Sequence, residues 1–227
     1  MTFQKNDFIE IEFIGKIRDS NEVFDSNVVS ELEKINPKYS PEQAKPFSFA
    51  LGQNMFLDGV DNYFIGKNIE KFPSEFEIPL SAEKAFGNRN SKLVQLMPIR
   101  VFHEQGLRPV QGIQFNFDGR VGKVIAVSGG RVIVDFNNPL AGKEVIYNVK
   151  VLKKIEDQKE KIKSFIEFLF KKDFPFQIED KKIIIELPKE FKQFAEMFKD
   201  KFKEIFDFDL QVEELKVKEN KNEEKKE

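Results

Sequence analysis

Cysteine and tryptophan are both missing from this 227-residue chain, and histidine occurs once, at His103. Without cysteine the chain has no disulfide, no zinc–thiolate site and no thiol nucleophile, which is compatible with a reducing compartment. A single histidine leaves no second imidazole for a histidine-based metal site and no neighbour of metal-binding type. The sequence therefore predicts neither a metal nor a cofactor, and it predicts that His103 is an exposed loop residue.

Net charge and long apolar runs are also scarce. The formal charge is only −2, from 37 basic and 39 acidic residues, so the chain has no long-range attraction to nucleic acid or to an anionic membrane. The first residues lack the apolar core of a signal peptide, and no apolar run is long enough to span a membrane. We therefore expect a soluble, cytoplasmic protein that binds neither nucleic acid nor membrane.

Phenylalanine is abundant, with 26 residues against three tyrosines. A phenyl ring supplies a large apolar area and has no polar tip that needs a hydrogen-bond partner. Cores and pockets in this protein are therefore expected to be lined by phenyl rings.

Alternating apolar residues predict antiparallel strands through the first two thirds of the chain. Asp118-Gly119 and Gly129-Gly130 separate three short apolar runs, and such dipeptides favour tight hairpins, so residues 88–136 are predicted to form a small β-meander. The predicted strands cover residues 8–15, 23–25, 47–51, 72–78, 110–117, 121–127, 131–136 and 145–151, and the predicted short helices cover 29–35 and 57–65.

From residue 153 the apolar spacing becomes helical. One amphipathic helix is predicted around 162–170, then a hairpin over 174–187, a second helix of about four turns over 191–206, and a strand over 208–212. The phenylalanine stripe of the second helix fits either a core face or a dimer face. The last ten residues are almost entirely Lys, Glu and Asn and are expected to be disordered.

Five short motifs follow one another in a recognisable order: Phe13-Ile14-Gly15, Val23-Phe24-Asp25-Ser26, Pro46–Gly52, Leu57-Asp58-Gly59 and Ala85-Phe86-Gly87. This series resembles the FKBP-type peptidyl-prolyl cis-trans isomerases. The stretches 97–102 and 134–143 resemble the SlyD-like branch, in which a chaperone domain is inserted in the flap near the active site. The resemblance spans residues 5–152. The remaining region is similar in position and length to the extension of the long archaeal members, where it is linked to dimerisation.

The resemblance implies an α+β fold with an antiparallel half-barrel wrapped around a short helix, an inserted β-rich domain and a C-terminal α+β domain. The isomerase domain would comprise residues 1–87 and 137–152, and the insert would comprise 88–136. The C-terminal domain would cover 153–217, with a disordered tail over 218–227.

The resemblance also implies an aromatic pocket that holds a proline. The implied catalytic residues are Asp25, Phe86 and Tyr147, and the implied substrate-binding residues are Phe13, Phe24, Phe47, Phe56, Leu57, Val60 and Leu140. Clients of the chaperone insert would bind at Val94, Leu96, Met97, Val101 and Phe102. The implied partners are unfolded or nascent polypeptides with X-Pro bonds, together with a second copy of the chain bound through the C-terminal domain.

A pocket of this kind suits the reaction, since rotation about an X-Pro bond breaks no covalent bond and needs no nucleophile. Two alternatives stay open at this point. Phe13 and Phe86 replace family tyrosines, so the chain could be a holdase that binds clients and turns over poorly. A ribosome- or nucleic-acid-associated factor is a remoter alternative, which the balanced charge disfavours. Without the motif order, plain core packing would be the favoured explanation of Phe24, Phe47, Phe56 and Phe86.

Overall fold

A computed structural model describes residues 1–215 of the chain. Within that range the chain forms twelve strands, six α-helices and two short 3-10 helices. The strands are β1 (Phe8–Ile17), β2 (Val23–Ser26), β3 (Phe47–Ala50), β4 (Ser74–Leu80), β5 (Val94–Pro98), β6 (Gln114–Phe117), β7 (Arg120–Ser128), β8 (Arg131–Asp135), β9 (Val145–Ile155), β10 (Phe176–Glu179), β11 (Lys182–Leu187) and β12 (Asp209–Glu214). The helices are α1 (Val29–Ile35), α2 (Asp58–Phe64), α3 (Ile99–Glu104), α4 (Gln158–Phe170), α5 (Lys189–Glu196) and α6 (Lys199–Phe206).

The main sheet is antiparallel, with the order β2-β1-β9-β4. Strands β2 and β3 lie along the same edge of β1, with β3 paired to its N-terminal half and β2 to its C-terminal half. Helix α2 packs against this sheet at Gly59, where an added Cβ would lie 2.5 Å from Leu80 Cδ2 and 2.9 Å from the Lys84 carbonyl. Only glycine permits so close an approach. The predicted α+β class is confirmed.

Strand β4 continues two residues beyond the predicted end at Ile78 and includes Pro79. Because β4 lies at the edge of the sheet and pairs with β9 alone, the missing N–H of proline can face away from the ladder. A proline would normally end a strand at the preceding residue, and the edge position explains why Pro79 does not.

The inserted region forms a four-stranded sheet in the order β5-β8-β7-β6, with α3 against one face. The predicted meander missed β5 and α3. Phe102 lies on α3 and is fully buried, with ring centroids 5.7 Å from Phe115 and 5.6 Å from Phe117. Its assignment to a client-binding surface is therefore wrong, because α3 turns this ring into the core of the insert. His103 is exposed, as expected, although it lies on this helix and not in a loop.

The C-terminal region contains α4, a three-stranded sheet in the order β10-β11-β12, and the α5–α6 connection that leads to the parallel pairing of β12 with β11. The single helix predicted over 191–206 is broken at Met197 and Phe198, whose amides bond to carbonyls three residues back. After this break Phe202 and Phe206 pack on Phe165, at 5.1 and 5.7 Å between ring centroids.

The C-terminal region shares one continuous apolar core with the main sheet. Phe8 on β1 is fully buried and stacks on Phe206 of α6 at 5.7 Å. The stripe over 191–206 is thus mainly a core face at its C-terminal end, whereas Phe194 and Met197 are 39% and 76% exposed. The tail predicted over 218–227 lies outside the described residues.

Within residues 1–215, no helix combines the length and the apolar content that a membrane crossing requires.

Candidate active site

Five aromatic rings from separate parts of the chain form a continuous row, which we call the ring row. It runs Phe86–Phe24–Tyr147–Phe56–Phe47, with neighbouring centroids 5.5, 5.8, 5.5 and 5.6 Å apart. Such spacings are typical of favourable edge and tilted aromatic contacts. Tyr147 is buried, but the four phenylalanines are half-buried and keep part of their rings at the surface. The row therefore presents an apolar wall to solvent.

The side chains beneath the ring row close it from the inside of the sheet. Phe13 is 8% exposed and contacts Phe56 at 4.9 Å and Tyr147 at 6.0 Å. Val60 has no exposed surface, so its assignment as a substrate-contacting residue needs correction: on the buried face of α2 it supports the site from below.

Two further predicted residues lie near the edges of the site. Leu57 precedes α2, is half-buried and packs against the main core. Leu140 is half-buried in the turn between β8 and β9, where its amide donates to Asn138 Oδ1 at 2.8 Å. It is not among the side chains packed against the main core in residues 1–215.

Asp25 lies at the border of the ring row and accepts a hydrogen bond from the Tyr147 hydroxyl, with 3.3 Å between Tyr147 Oη and Asp25 Oδ2. Gly15 lies opposite both residues, on the central strand between β2 and β9. A Cβ at this position would lie 3.0 Å from the Phe24 ring and 3.0 Å from the Tyr147 ring. Glycine therefore lets these two rings close over β1. The hydroxyl that Asp25 accepts from is that of Tyr147, since Phe13 has none.

Burial raises the pKa of Asp25 above its ordinary value of 3.8, an effect that the hydrogen bond from Tyr147 partly opposes. Burial, together with the neighbouring Asp25, also raises the pKa of Tyr147 well above its ordinary value. The tyrosine hydroxyl thus stays protonated and remains a donor, while the carboxyl is the group that titrates as the pH falls.

We expect the Asp25→Asn variant, whose side chain does not titrate, to isolate the contribution of this carboxyl to the pH dependence of stability. A raised acid pKa means that the folded state holds a proton more tightly than the unfolded state. The unfolding free energy of the wild type, relative to Asp25→Asn, should therefore fall as the pH rises from 3.8 through the raised pKa. Denaturant titrations of both proteins across this window measure the difference, and parallel pH profiles would contradict the shift.

Two buried polar side chains position the site, and the sequence analysis identified neither. Asn27 Oδ1 accepts the Phe13 amide at 2.7 Å, and its Nδ2 donates to the carbonyls of Ile11 at 3.0 Å and Lys45 at 3.1 Å. Asn27, which directly follows β2, therefore links β1 to the segment that precedes β3. No pattern in the sequence distinguishes this asparagine from a surface one.

Asp61 fixes the loop that carries Phe56. It is fully buried, and its carboxylate oxygens accept the amides of Gly52 at 2.6 Å and Asn54 at 3.0 Å. Burial raises its pKa, and the two amide hydrogen bonds oppose that shift. A signal was available: Asp61 adjoins Val60 and precedes Phe64 by three positions, which places a carboxylate on the apolar face of α2.

The insert exposes an apolar strip on the face of its sheet opposite α3. Leu96 is 57% exposed and pairs with Ile133, which in turn pairs with Ala126 across β8 and β7. Met97 and Val101, which were predicted to bind clients, are half-buried and pack against the insert core instead. Val94 is half-buried, two positions before Leu96. Val121, which the sequence analysis did not name, is 56% exposed.

Comparisons with known proteins agree with this architecture. A family model described as FKBP26, IF domain, matches residues 95–140, which contain α3 and β6 to β8. The FKBP-type 16 kDa peptidyl-prolyl cis-trans isomerase of Escherichia coli is 30% identical over 112 residues, which are 48% of this chain and 73% of that protein.

The chain belongs to the FKBP-type peptidyl-prolyl cis-trans isomerase family. The short-type peptidyl-prolyl cis-trans isomerase of Methanocaldococcus jannaschii is 29% identical over 149 residues, covering 65% of this FKBP-type chain and 91% of that protein. The FKBP-type isomerase SlyD of Pasteurella multocida is 32% identical over 113 residues, and this chain spans 54% of its length. The resemblance to SlyD-like and archaeal members is thereby confirmed.

Proposed function

We propose that this FKBP-type chain catalyses cis–trans isomerisation of X-Pro bonds in unfolded or nascent polypeptides, with the proline ring bound against the ring row. The observation that supports this proposal is the convergence of Phe24, Phe47, Phe56 and Phe86 into one half-exposed apolar wall with Asp25 at its border. These side chains come from distant parts of the sequence, and plain core packing would not leave all four partly at the surface.

An apolar wall is a sufficient device for this reaction. Amide resonance sets a barrier of about 18–20 kcal/mol to rotation, and the uncatalysed X-Pro bond turns over in tens of seconds or more. The planar amide carries more charge on its oxygen than the twisted transition state does. Phenyl rings that exclude water from the carbonyl therefore disfavour the planar form relative to the twisted one, which lowers the barrier.

Asp25 and Tyr147 have positional roles in this mechanism. Tyr147 is buried and donates its only hydroxyl proton to Asp25, so it holds the carboxylate and does not reach the substrate itself. The second carboxylate oxygen can accept an N–H group of the bound peptide and orient its backbone. Phe86 supplies a ring but lacks the hydroxyl of the family tyrosine that it replaces. A hydrogen bond from such a hydroxyl to the substrate is worth about 0.5–1.5 kcal/mol. We therefore expect slow but measurable turnover.

We further propose that the insert binds extended client segments and delivers them to the ring row. The strip of Leu96, Ile133 and Ala126, together with the exposed Val121 elsewhere on β7, offers apolar area, and surfaces of this kind bind unfolded chains. A client held there raises the local concentration of its X-Pro bonds at the neighbouring site.

The insert offers a second candidate function, in which the chain holds clients without appreciable turnover. Two assays separate the candidates: isomerisation of a short X-Pro peptide, and suppression of aggregation of an unfolded protein. Turnover that falls in Phe86→Ala, together with aggregation suppression that falls in Leu96→Ser, supports the combined proposal. Peptide kinetics equal to the uncatalysed rate, with aggregation still suppressed, would leave only the holdase.

The homodimer predicted through the C-terminal region is also part of this proposal. Phe194 and Met197 remain 39% and 76% exposed on that region, and they are the side chains we propose for the contact. Light scattering of the full chain tests it, and a mass equal to one chain at micromolar concentration would contradict it. A cytoplasmic location likewise stays a prediction from the sequence.

A further inference from the structure

The C-terminal region reaches the candidate active site at two points, and one of them extends the ring row. Phe168 of α4 lies 6.3 Å from Phe47, centroid to centroid, with a tilt of 55°. The row therefore has a sixth ring, contributed by a region outside the motifs that indicate the isomerase. Phe168 is half-buried, so part of this ring faces solvent beside the exposed edge of Phe47.

The surroundings of Phe168 differ from those of its neighbours on the same helix. Phe165, Ile166 and Phe170 are buried in the shared core, which is where an amphipathic helix normally directs its apolar residues. Phe168 is held between Phe47 on one side and the Lys171 ammonium on the other, 4.6 Å from the ring centroid. A half-exposed phenyl ring fixed by two such contacts loses little conformational freedom when it binds a ligand.

The second point of contact is the loop that carries Phe56. Gln53 in that loop is 8% exposed, and its amide donates to Glu204 Oε1 of α6 at 3.0 Å while accepting from Lys201 Nζ at 2.9 Å. Lys5 also donates to Glu204 Oε1, at 2.8 Å. Lys201 Nζ also donates to Glu204 Oε2 at 3.0 Å. The hydrogen bonds that Glu204 accepts from Lys5, Gln53 and Lys201, that of Lys5 foremost, lower its pKa to about 2, so its carboxylate is ionised at neutral pH.

We propose that the C-terminal region completes the proline-binding site, with Phe168 contacting a large apolar residue that flanks the proline and Glu204 positioning the Phe56 loop through Gln53. The inference rests on the proposed isomerase function and adds a specificity to it. The Phe47 centroid lies 5.6 Å from Phe56 and 6.3 Å from Phe168. An extended client advances about 3.3–3.6 Å per residue, so a residue one or two positions from a proline held at Phe56 lies above Phe47, at the end of the row. An apolar side chain there covers Phe168 and Phe47 together.

The test uses the full chain and peptides with Phe or Ala on either side of the proline. In Phe168→Ala, the KM for the peptide whose Phe lies over this ring should rise roughly two- to tenfold, the value of one aromatic contact. The kcat and the kinetics of the Ala peptides should change little. Phe168→Leu should restore most of the lost affinity. Glu204→Gln should lower kcat/KM for all peptides alike, because it acts through the Phe56 loop.

Phe191→Ala is the matched control, since it removes a half-buried ring of the same region that contacts Phe170 and Phe174. Equal KM values for wild type, Phe168→Ala and Phe191→Ala on every peptide would overturn the inference. Peptide affinity measured by calorimetry on the same variants does not depend on turnover. If the wild type proves inactive, the isomerase proposal fails, and the Kd values alone then decide whether Phe168 discriminates between flanking residues.

Discussion

Replacing Phe56 with alanine is expected to reduce kcat/KM on a short X-Pro peptide by between about tenfold and a hundredfold. Phe56 lies between Tyr147 and Phe47 in the row and also contacts Phe13 and Phe49. Its removal deletes the apolar surface over the amide and lets water reach the carbonyl. Burial of a phenyl ring is worth about 1.5–3 kcal/mol, and each 1.36 kcal/mol is tenfold in rate.

Phe76→Ala is the control for the loss of a phenyl ring as such. Phe76 is half-buried on β4 and contacts Tyr63 and Phe64, away from the ring row. It should lower the melting temperature to a similar degree while leaving kcat/KM near the wild-type value. Phe56→Leu, which keeps most of the apolar volume, should fall between Phe56→Ala and the wild type. Equal kinetics for Phe56→Ala and Phe76→Ala would remove the ring row from the mechanism.

Replacing Phe8 with alanine is expected to cost about 3–5 kcal/mol of unfolding free energy, the range for a large aromatic removed from a core. Phe8 has no exposed surface, and it stacks on Phe206 where α6 meets β1. The cavity would lie between the main sheet and the C-terminal region. Amide exchange should therefore accelerate most in α6 and β12, while the insert sheet keeps the protection it has in the wild type.

Phe8→Leu fills most of the same volume and should cost less than about 1.5 kcal/mol. The comparison is informative because the C-terminal region was predicted as a separate domain. If Phe8→Ala lost less than about 1 kcal/mol, or if exchange rose only in β1, the C-terminal region would be stable by itself and the shared core would contribute little. Urea unfolding followed by circular dichroism measures both variants.

The local elements were largely predictable because they depend on short-range patterns. The alternation in Phe8–Ile17 gives one buried and one solvated face, and the spacing in Gln158–Phe170 gives one apolar stripe. Features that failed depended on neighbours in space. Pro79 is tolerated because β4 is an edge strand. Phe102 points inward because it packs against Phe115 and Phe117 on the sheet beside α3.

The aromatic residues of the site could be named from motif order, but their roles could not. Position 13 is a phenylalanine, which has no hydroxyl to donate to Asp25. The fold supplies a hydroxyl from Tyr147, which is 122 residues from Asp25 in the sequence. Asn27 and Asp61 escaped notice because an amide or a carboxylate attracts attention only once its burial is known. The same holds for Phe168, whose helical spacing indicates a core residue whether or not it borders a binding site.

The amino-acid sequence alone determined the fold class, the resemblance to the family and the five rings of the ring row, since these follow from periodicity and ordered motifs. Only the tertiary structure decided which rings stay half-exposed, which hydroxyl meets Asp25, and that the C-terminal helices contact Phe47 and Gln53. The physical reason is that exposure and contact are properties of the packed chain. Two phenylalanines with the same local pattern differ in role only through what the distant chain places against them.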